Sequence, residues 1–356
     1  MVAAGLALGI AACSAPLPST NLPPGRAVAP ALEFPQLRDY RAAIDCRIGA
    51  MDQGDFARLA AAAQIDIVTL GDPAKSGASN FGVGGFTEAV LFVPGASYAI
   101  DGGEIVATNI HNPIDSHRSA TDLIRAIHDQ GGLAIAANLA GFASSNDYAL
   151  ADAVEIYNQQ RAWNAQSPNA VYLRAMLEGT DRFLRALDLW PGRDLALYDE
   201  MAKSAQVTLV AGLGGEERLK VMGLTVGTFQ QLLLFYVTHV ISPERSVDSV
   251  VDALKHGHAY VSFDLLGYVA QFAFFAQAGD TKTMMGDEVQ LAPGLKLSAE
   301  LPSAADRIEL LLDGTIAASM DNADALDFEP KSAGSYRVVA YRSGVPWIVS
   351  NPVYVR

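Results

Sequence analysis

From about Tyr40 the chain alternates strand-like runs with helix-like segments, and this alternation restricts the fold more than any other feature of the sequence. Ala42–Ile48 reads as a strand, Asp55–Ala63 has helical composition, and Ile65–Leu70 alternates as a buried strand does. Ser119–His128 sets Leu123, Ile124 and Ile127 on one helical face and stops at Gly131-Gly132, after which Leu133–Ala137 is a short apolar strand. Val154–Tyr157, a long helix over Ala170–Leu189 broken by Trp190-Pro191, and Val207–Ala211 repeat the unit. Repeated β-then-α segments imply a largely parallel sheet with barrel-like closure, and any site then lies at the carboxyl ends of the strands.

The texture changes after one more amphipathic helix, marked by Val247, Val250, Val251 and Leu254 and capped by Gly257. Beyond about residue 265 helical periodicity is lost. Leu295–Leu301, Ile308–Leu312, Tyr336–Tyr341 and Val353–Arg356 are short alternating runs between Pro-Gly, Asp-Gly and Ala-Gly turns, which predicts a small antiparallel β-sandwich. A chain of 356 residues exceeds what one core usually organises, and 50% hydrophobic against 18% charged residues suits packed domains. The expected division is an α/β barrel over 39–270 and an all-β, Ig-like sandwich over 285–356.

The amino terminus reads as an export signal. An apolar run over residues 1–12 is too short to span a bilayer but suits a signal-peptide core, and Ile10-Ala11-Ala12-Cys13 resembles the bacterial lipobox. Cys13 is therefore the expected site of lipidation, with residues 1–13 as the signal segment and a Pro-rich tether over 14–38. The expected location is the cell envelope, at the periplasmic or outer-membrane face, with the membrane as partner through the anchor. Twenty-five basic residues against 39 acidic ones give a net charge of −14, which repels a phosphate backbone and argues against nucleic acid. Two cysteines, Cys13 and Cys46, build neither a disulfide framework nor a thiolate zinc site.

Five segments carry a family resemblance: Tyr40-Arg41-Ala42-Ala43-Ile44-Asp45-Cys46-Arg47, Ile65-Asp66-Ile67-Val68-Thr69-Leu70-Gly71-Asp72, Gly131-Gly132-Leu133-Ala134-Ile135-Ala136-Ala137-Asn138, Val154-Glu155-Ile156-Tyr157-Asn158, and the final Pro346–Arg356. In order and spacing they resemble the polymerase and histidinol phosphatase (PHP) metallohydrolases, in particular the carbaryl-hydrolase-like subgroup of larger exported members. The resemblance implies a distorted seven-stranded βα barrel holding up to three metals, generally zinc, manganese or iron, that activate water for hydrolysis, usually of phosphoesters.

The ligand positions of that family are mostly histidines, and this sequence departs from them almost throughout. His-x-His at the end of the first strand corresponds to Asp45 and Arg47, and a guanidinium has no lone pair to give a metal. Thr-Asp-His becomes Gly71-Asp72-Pro73, the bridging Glu corresponds to Ser97, and Gly-His to Gly103-Glu104. Ala-His-Pro becomes Ala137-Asn138-Leu139, and the late Gly-Ser-Asp-Ala-His becomes Gly212-Leu213-Gly214-Gly215-Glu216.

The expected pocket is thus Asp45, Arg47, Asp72, Ser97, Glu104, Asn138, Glu155 and Glu216, with no confident catalytic residue. Two readings stay open. Arg47 replaces the metals' positive charge and pairs with the carboxylates, giving a cofactor-free plug or a pocket for a small polar ligand or an envelope protein. Alternatively Asp45, Glu104 and Glu216 hold a hard cation, Mg²⁺, Mn²⁺ or Ca²⁺, and a rebuilt site retains phosphoesterase-like hydrolysis. Glu155 has a further reading as a structural acid capping backbone. Of the six histidines, only His111 and His117 lie in a loop near the presumed mouth. His128, His256 and His258 read as structural, and Cys46 as a core residue facing away from the mouth.

Overall fold

The computed structural model describes residues 28–74, 81, 84–158, 161, 192–214, 219–221, 224–226, 229–233 and 235–356. Cys13, most of the tether, the Ala170–Leu189 helix and Glu216 lie outside them. The principal elements are β1 (Phe34–Cys46), α1 (Gln53–Ala62), β2 (Ile67–Leu70), β3 (Val90–Val93), β4 (Gly95–Ile100), β5 (Gly103–Thr108), α2 (Ala120–His128), β6 (Leu133–Ala137), β7 (Ala153–Asn158), α3 (Gly192–Ala202) and β8 (Thr208–Gly212). They continue with β9 (Tyr236–Ser242), α4 (Val247–Lys255), β10 (Ala259–Phe263), β11 (Ala273–Ala278), β12 (Lys296–Leu312), β13 (Thr315–Phe328), β14 (Gly334–Arg342), β15 (Val345–Ser350) and β16 (Val353–Val355). The chain is mostly sheet, and among the described residues no helix is long and apolar enough to cross a membrane.

The strand pairings of the first part run round a ring. β1 pairs parallel with β2, and β2 parallel with β3. Pro94 joins β3 to β4, where the Ser97 amide donates to the Asp72 carbonyl at 3.1 Å and continues the same ladder. β4 pairs antiparallel with β5, β5 antiparallel with β6, and then β6, β7 and β8 are parallel neighbours. Gly212 of β8 against Ile44 of β1 closes the circle. Inside, Ala42, Ile44, Ile67, Val93, Val106 and Ile135 belong to one buried cluster with Val250 and Leu254 of α4, so the ring is filled and only its ends can carry chemistry.

Helix α2 shows how the sequence dictates one such unit. Ser119 accepts from the Asp122 amide as N-cap, Leu123, Ile124 and Ile127 are buried, and Gly131 at φ 75° ends the segment. Each of these aliphatic side chains contributes roughly 1.5–3 kcal/mol by leaving water.

The ring departs from the parallel expectation at β5. Asp101 and Gly102 have φ of 39° and 94°, a two-residue turn that folds β4 back on β5 and needs no crossover helix. β9 and β10 also run antiparallel, β9 against the middle of β1, from Arg38 to Ala42, and β10 against β9. β1 begins at Phe34, inside the span read as tether, because Pro30–Ala31 folds back to pair with it.

From β11 onward every principal element is a strand. β11 pairs with β12 at Ala273↔Glu300, so the all-β part extends upstream of residue 285. The two runs Leu295–Leu301 and Ile308–Leu312 are one strand, β12, irregular between Glu300 and Ala305. β15 pairs with β10 of the first part, and Asn351 fixes the joint: its Oδ1 accepts from the Leu209 amide at 2.6 Å, and its Nδ2 donates to the carbonyls of Leu209 and Ala259. The terminal Ser350-Asn351-Pro352 segment is therefore a docking element between the ring and the all-β part.

Candidate functional site

At the carboxyl end of β1, Asp45 adopts φ 53°, a left-handed turn that swings its carboxylate across the mouth of the ring. Thr69 Oγ1 accepts from the Asp45 amide at 3.1 Å and holds that turn. The carboxylate fits only because residue 71 is glycine: a Cβ there meets Asp45 Oδ1 at 1.8 Å. Gly212 leaves room for Glu155 in the same way, since a Cβ added there would meet Glu155 Oε2 at 2.0 Å. Four segments thus meet in one small volume at the end of the strands, two supplying acidic groups and two giving up side chains to make room for them.

Arg47 reaches over this volume. Its Nη2 donates to Asp45 Oδ2 at 3.0 Å and to Glu104 Oε2 at 2.8 Å, and its Nε contacts Asp45 Oδ1 at 3.4 Å. The Arg47 side chain is 16% exposed and that of Glu104 23%, while Asp45 is fully buried. Burial works against the charged guanidinium, but Asp45 and Glu104 outweigh it and hold Arg47 above its ordinary value. Burial pushes the Asp45 carboxyl well above the usual carboxylate range, with Arg47 opposing and Glu155 and Glu104 adding to the rise.

Glu155, on β7, is fully buried as well. Its Oε1 accepts from Asn158 Nδ2 at 2.6 Å and from Arg161 Nη2 at 2.9 Å, while Oε2 has no hydrogen-bond partner among the described residues. Its partners are side chains, not the backbone amides the capping role requires. Burial raises its carboxyl above the ordinary value, against the opposing pull of Arg161 and the Asn158 hydrogen bond. Arg161 also lies 3.7 Å from Asp194 of α3, whose Oδ1 accepts from the Ala140 amide. Asn158, Arg161 and Asp194 were not singled out from sequence; Asn158 stood in the quoted Val154–Asn158 motif, but its side chain's role depends on the approach of Gly214, where an added Cβ would meet it at 1.9 Å.

Other sequence-derived candidates do different work. Asp72 Oδ1 accepts from the Gly49 amide at 2.8 Å and fixes the turn that follows Arg47. Ser97 is buried within β4. Asn138, at φ 58°, donates to the Gly102 carbonyl at 2.6 Å and so braces the turn that carries Glu104. His117 is 85% exposed and paired with Asp115, and His111 sits on an exposed loop whose amide donates to Gln130, so neither joins Arg47. Cys46 faces the other way from Asp45, buried beside Phe56, Val68 and Leu70, and burial raises its thiol well above the ordinary value.

A second polar cluster, away from the mouth, joins β1, β9 and β10. His239 Nδ1 lies 2.7 Å from Asp39 Oδ1 and its Nε2 3.0 Å from Ser262 Oγ, the order of a hydrolase triad. The serine cannot act as one. Its hydroxyl donates to Asp264 Oδ1 at 2.8 Å, and Asp39, His239, Ser262 and Asp264 are at most 1% exposed. Arg41 and Asp264 form a fully buried ion pair at 2.6 Å in the same place. This cluster ties the long first strand to its antiparallel neighbours.

The donor set of the mouth suits a first-row metal cluster poorly. Its described groups are carboxylates already bonded to Arg47 or Arg161, imidazole is missing from them, and the position between Asp45 and Glu104 is taken by a cation. Among the described residues no group of three or more His, Cys, Asp or Glu stands close enough to hold a metal ion.

No family model and no curated protein matches this chain. Among solved structures it is similar to a two-domain protein from Bacteroides vulgatus containing a predicted PHP-like metal-dependent phosphoesterase. That likeness covers 92% of this chain and 98% of the other at 10% identity, with a TM-score of 0.41, too low to carry an argument.

Proposed function

We propose that this chain is an exported lipoprotein in which a PHP-type barrel has exchanged its metal cluster for an arginine–carboxylate plug, and that it serves as a non-catalytic binding or scaffold protein of the cell envelope. The observation that carries the reading is Arg47 bridging Asp45 and Glu104 at the mouth of the ring. A fixed guanidinium between the acids neutralises charge that a dication otherwise must, and it repels that dication. The ring of pairings and the filled interior agree with the distorted βα barrel that the resemblance implies, and the antiparallel strands after it agree with the Ig-like sandwich that the alternating runs predict. In this reading Cys13 carries the lipid, residues from 14 to about the start of β1 tether the fold, and the plugged mouth recognises a small polar ligand or an envelope protein.

One observation favours the rival reading of a hydrolase with a rebuilt carboxylate site: Oε2 of Glu155 is buried without a partner among the described residues, an acceptor that a proton or a hard cation can satisfy. Three measurements test the proposal. Thermal unfolding with added Mg²⁺, Mn²⁺ or Ca²⁺ should show no saturable stabilisation, and generic phosphoesters should not be hydrolysed; stabilisation that saturates together with turnover selects the rival. Expressed with a functional export signal, the protein should enter the detergent phase and Cys13→Ala should release it, since the multiple acyl chains of a lipoprotein make attachment stable. A soluble, unmodified wild-type chain contradicts the anchor.

A further inference from the structure

The all-β part presents an unusually long open strand edge. β12 turns through Asp313 and Gly314, at φ of 50° and 81°, into β13, and among the described residues β13 pairs with β12 alone. On its other side β12 pairs with β11 and with β14, so β13 is the border of the sheet along its whole 14 residues. Every second residue of such a strand turns its N–H and C=O outward, as a template for another strand. Two large apolar side chains on it, Ile316 at 50% and Met320 at 46%, are exposed. Met320 lies opposite Ile308, which is fully buried in the core of the all-β part, and Ile316 lies opposite Leu311, past an irregularity between Leu310 and Leu311.

Charge decides what can pair there. Asp321, Asp324 and Asp327 recur along β13, and a groove of about 380 Å³ beside its last turns is lined by Glu300, Asp324 and Asp327. The lysines in that groove, Lys282 and Lys296, are already paired with Glu33 and Asp327. A second copy of the chain, itself at net charge −14, brings acid against acid across the new ladder. We infer that the β13 edge is a docking site for an extended, basic segment of a partner protein, added as one more strand, with Lys or Arg side chains facing the aspartates and aliphatic ones covering Ile316 and Met320. This site is independent of the ring mouth.

The test uses the full chain and a dodecapeptide alternating Lys and Val, with a Glu-Val peptide as its charge-reversed counterpart. Amide hydrogen exchange over 315–328 should slow on adding the basic peptide and stay unchanged with the acidic one. Asp321→Lys with Asp324→Lys should weaken binding about tenfold or more, as reversing complementary charge does. In the unaltered protein, raising the salt concentration should weaken binding too, which keeps the test meaningful if the double variant folds badly. Exchange that the basic peptide leaves untouched, that both peptides slow equally, or that slows with protein concentration alone overturns the inference, the last by making a second copy the occupant.

Discussion

Replacing Arg47 by Met removes the cation that, among the described residues, bridges Asp45 and Glu104, while keeping most of the side chain's length and apolar bulk. Breaking a buried ion pair by deleting one partner costs about 3–5 kcal/mol, because the remaining charge is left uncompensated. Two features of the mouth bring the expected figure to the lower end. Arg47 and Glu104 keep 16% and 23% of their side-chain surface, so their contact is partly screened, and the larger loss falls on Asp45, which has none. Asp45 can also escape by taking a proton, since burial already holds its carboxyl well above the ordinary range. Arg47 opposes that rise, so without it the folded-state value climbs further and the folded chain holds the proton to higher pH than the wild type does. Stability of Arg47→Met relative to wild type therefore falls as pH rises. Urea unfolding followed by far-UV circular dichroism should show a deficit of about 3 kcal/mol at pH 8 and a smaller one at pH 5. Asp45→Asn in the Arg47→Met background should recover part of it, as a coupled pair requires. A variant within about 0.5 kcal/mol of wild type at both pH values, the ordinary range for surface changes, would falsify the plug.

Glu155→Gln should be tolerated at neutral pH and should flatten the pH dependence of stability: burial raises the folded carboxyl, so stability drains as pH climbs from about 4.3 toward the folded value, by up to about 1.4 kcal/mol per unit. A steeper dependence in the variant contradicts a Glu155 carboxyl raised by burial. Gly71→Ala places a Cβ 1.8 Å from Asp45 Oδ1 and should cost about 1–3 kcal/mol as overpacking, seen in the urea midpoint, whereas an unaffected midpoint means Asp45 does not occupy that space. Arg41→Met, at the fully buried pair with Asp264, should cost about 3–5 kcal/mol and loosen amide exchange in β1, β9 and β10; unchanged exchange there removes the cluster's structural role.

How much of this was legible in the sequence depends on the distance over which each feature is decided. Leu123, Ile124 and Ile127 announce α2 because helix periodicity is local, and Leu133–Ala137 coincides with β6 because a short apolar run after Gly-Gly has few alternatives. β13 went unread because most of its residues are exposed on both faces, which leaves no alternation for a pattern to catch. β9 and β10 were missed because His239 and Ser262 interrupt their apolar runs, and the reason those polar groups are tolerated, Asp39, lies 200 residues from His239. At the mouth, the set Asp45, Arg47, Glu104 and Glu155 followed from the family resemblance, which marks these positions whatever residue stands there. Asp72 and Asn138 hold such positions too, yet each bonds to backbone, a choice set by turns at Gly49 and Gly102 that side-chain type alone does not specify.

Metal content tests the central claim most directly. The full chain, purified without chelator and dialysed, should contain well below one zinc, iron or manganese per molecule by elemental analysis, because Arg47 fills the position between Asp45 and Glu104. Stoichiometric metal that survives dialysis, with phosphoesterase activity that disappears on chelation, would contradict the account and make the mouth a working metal site.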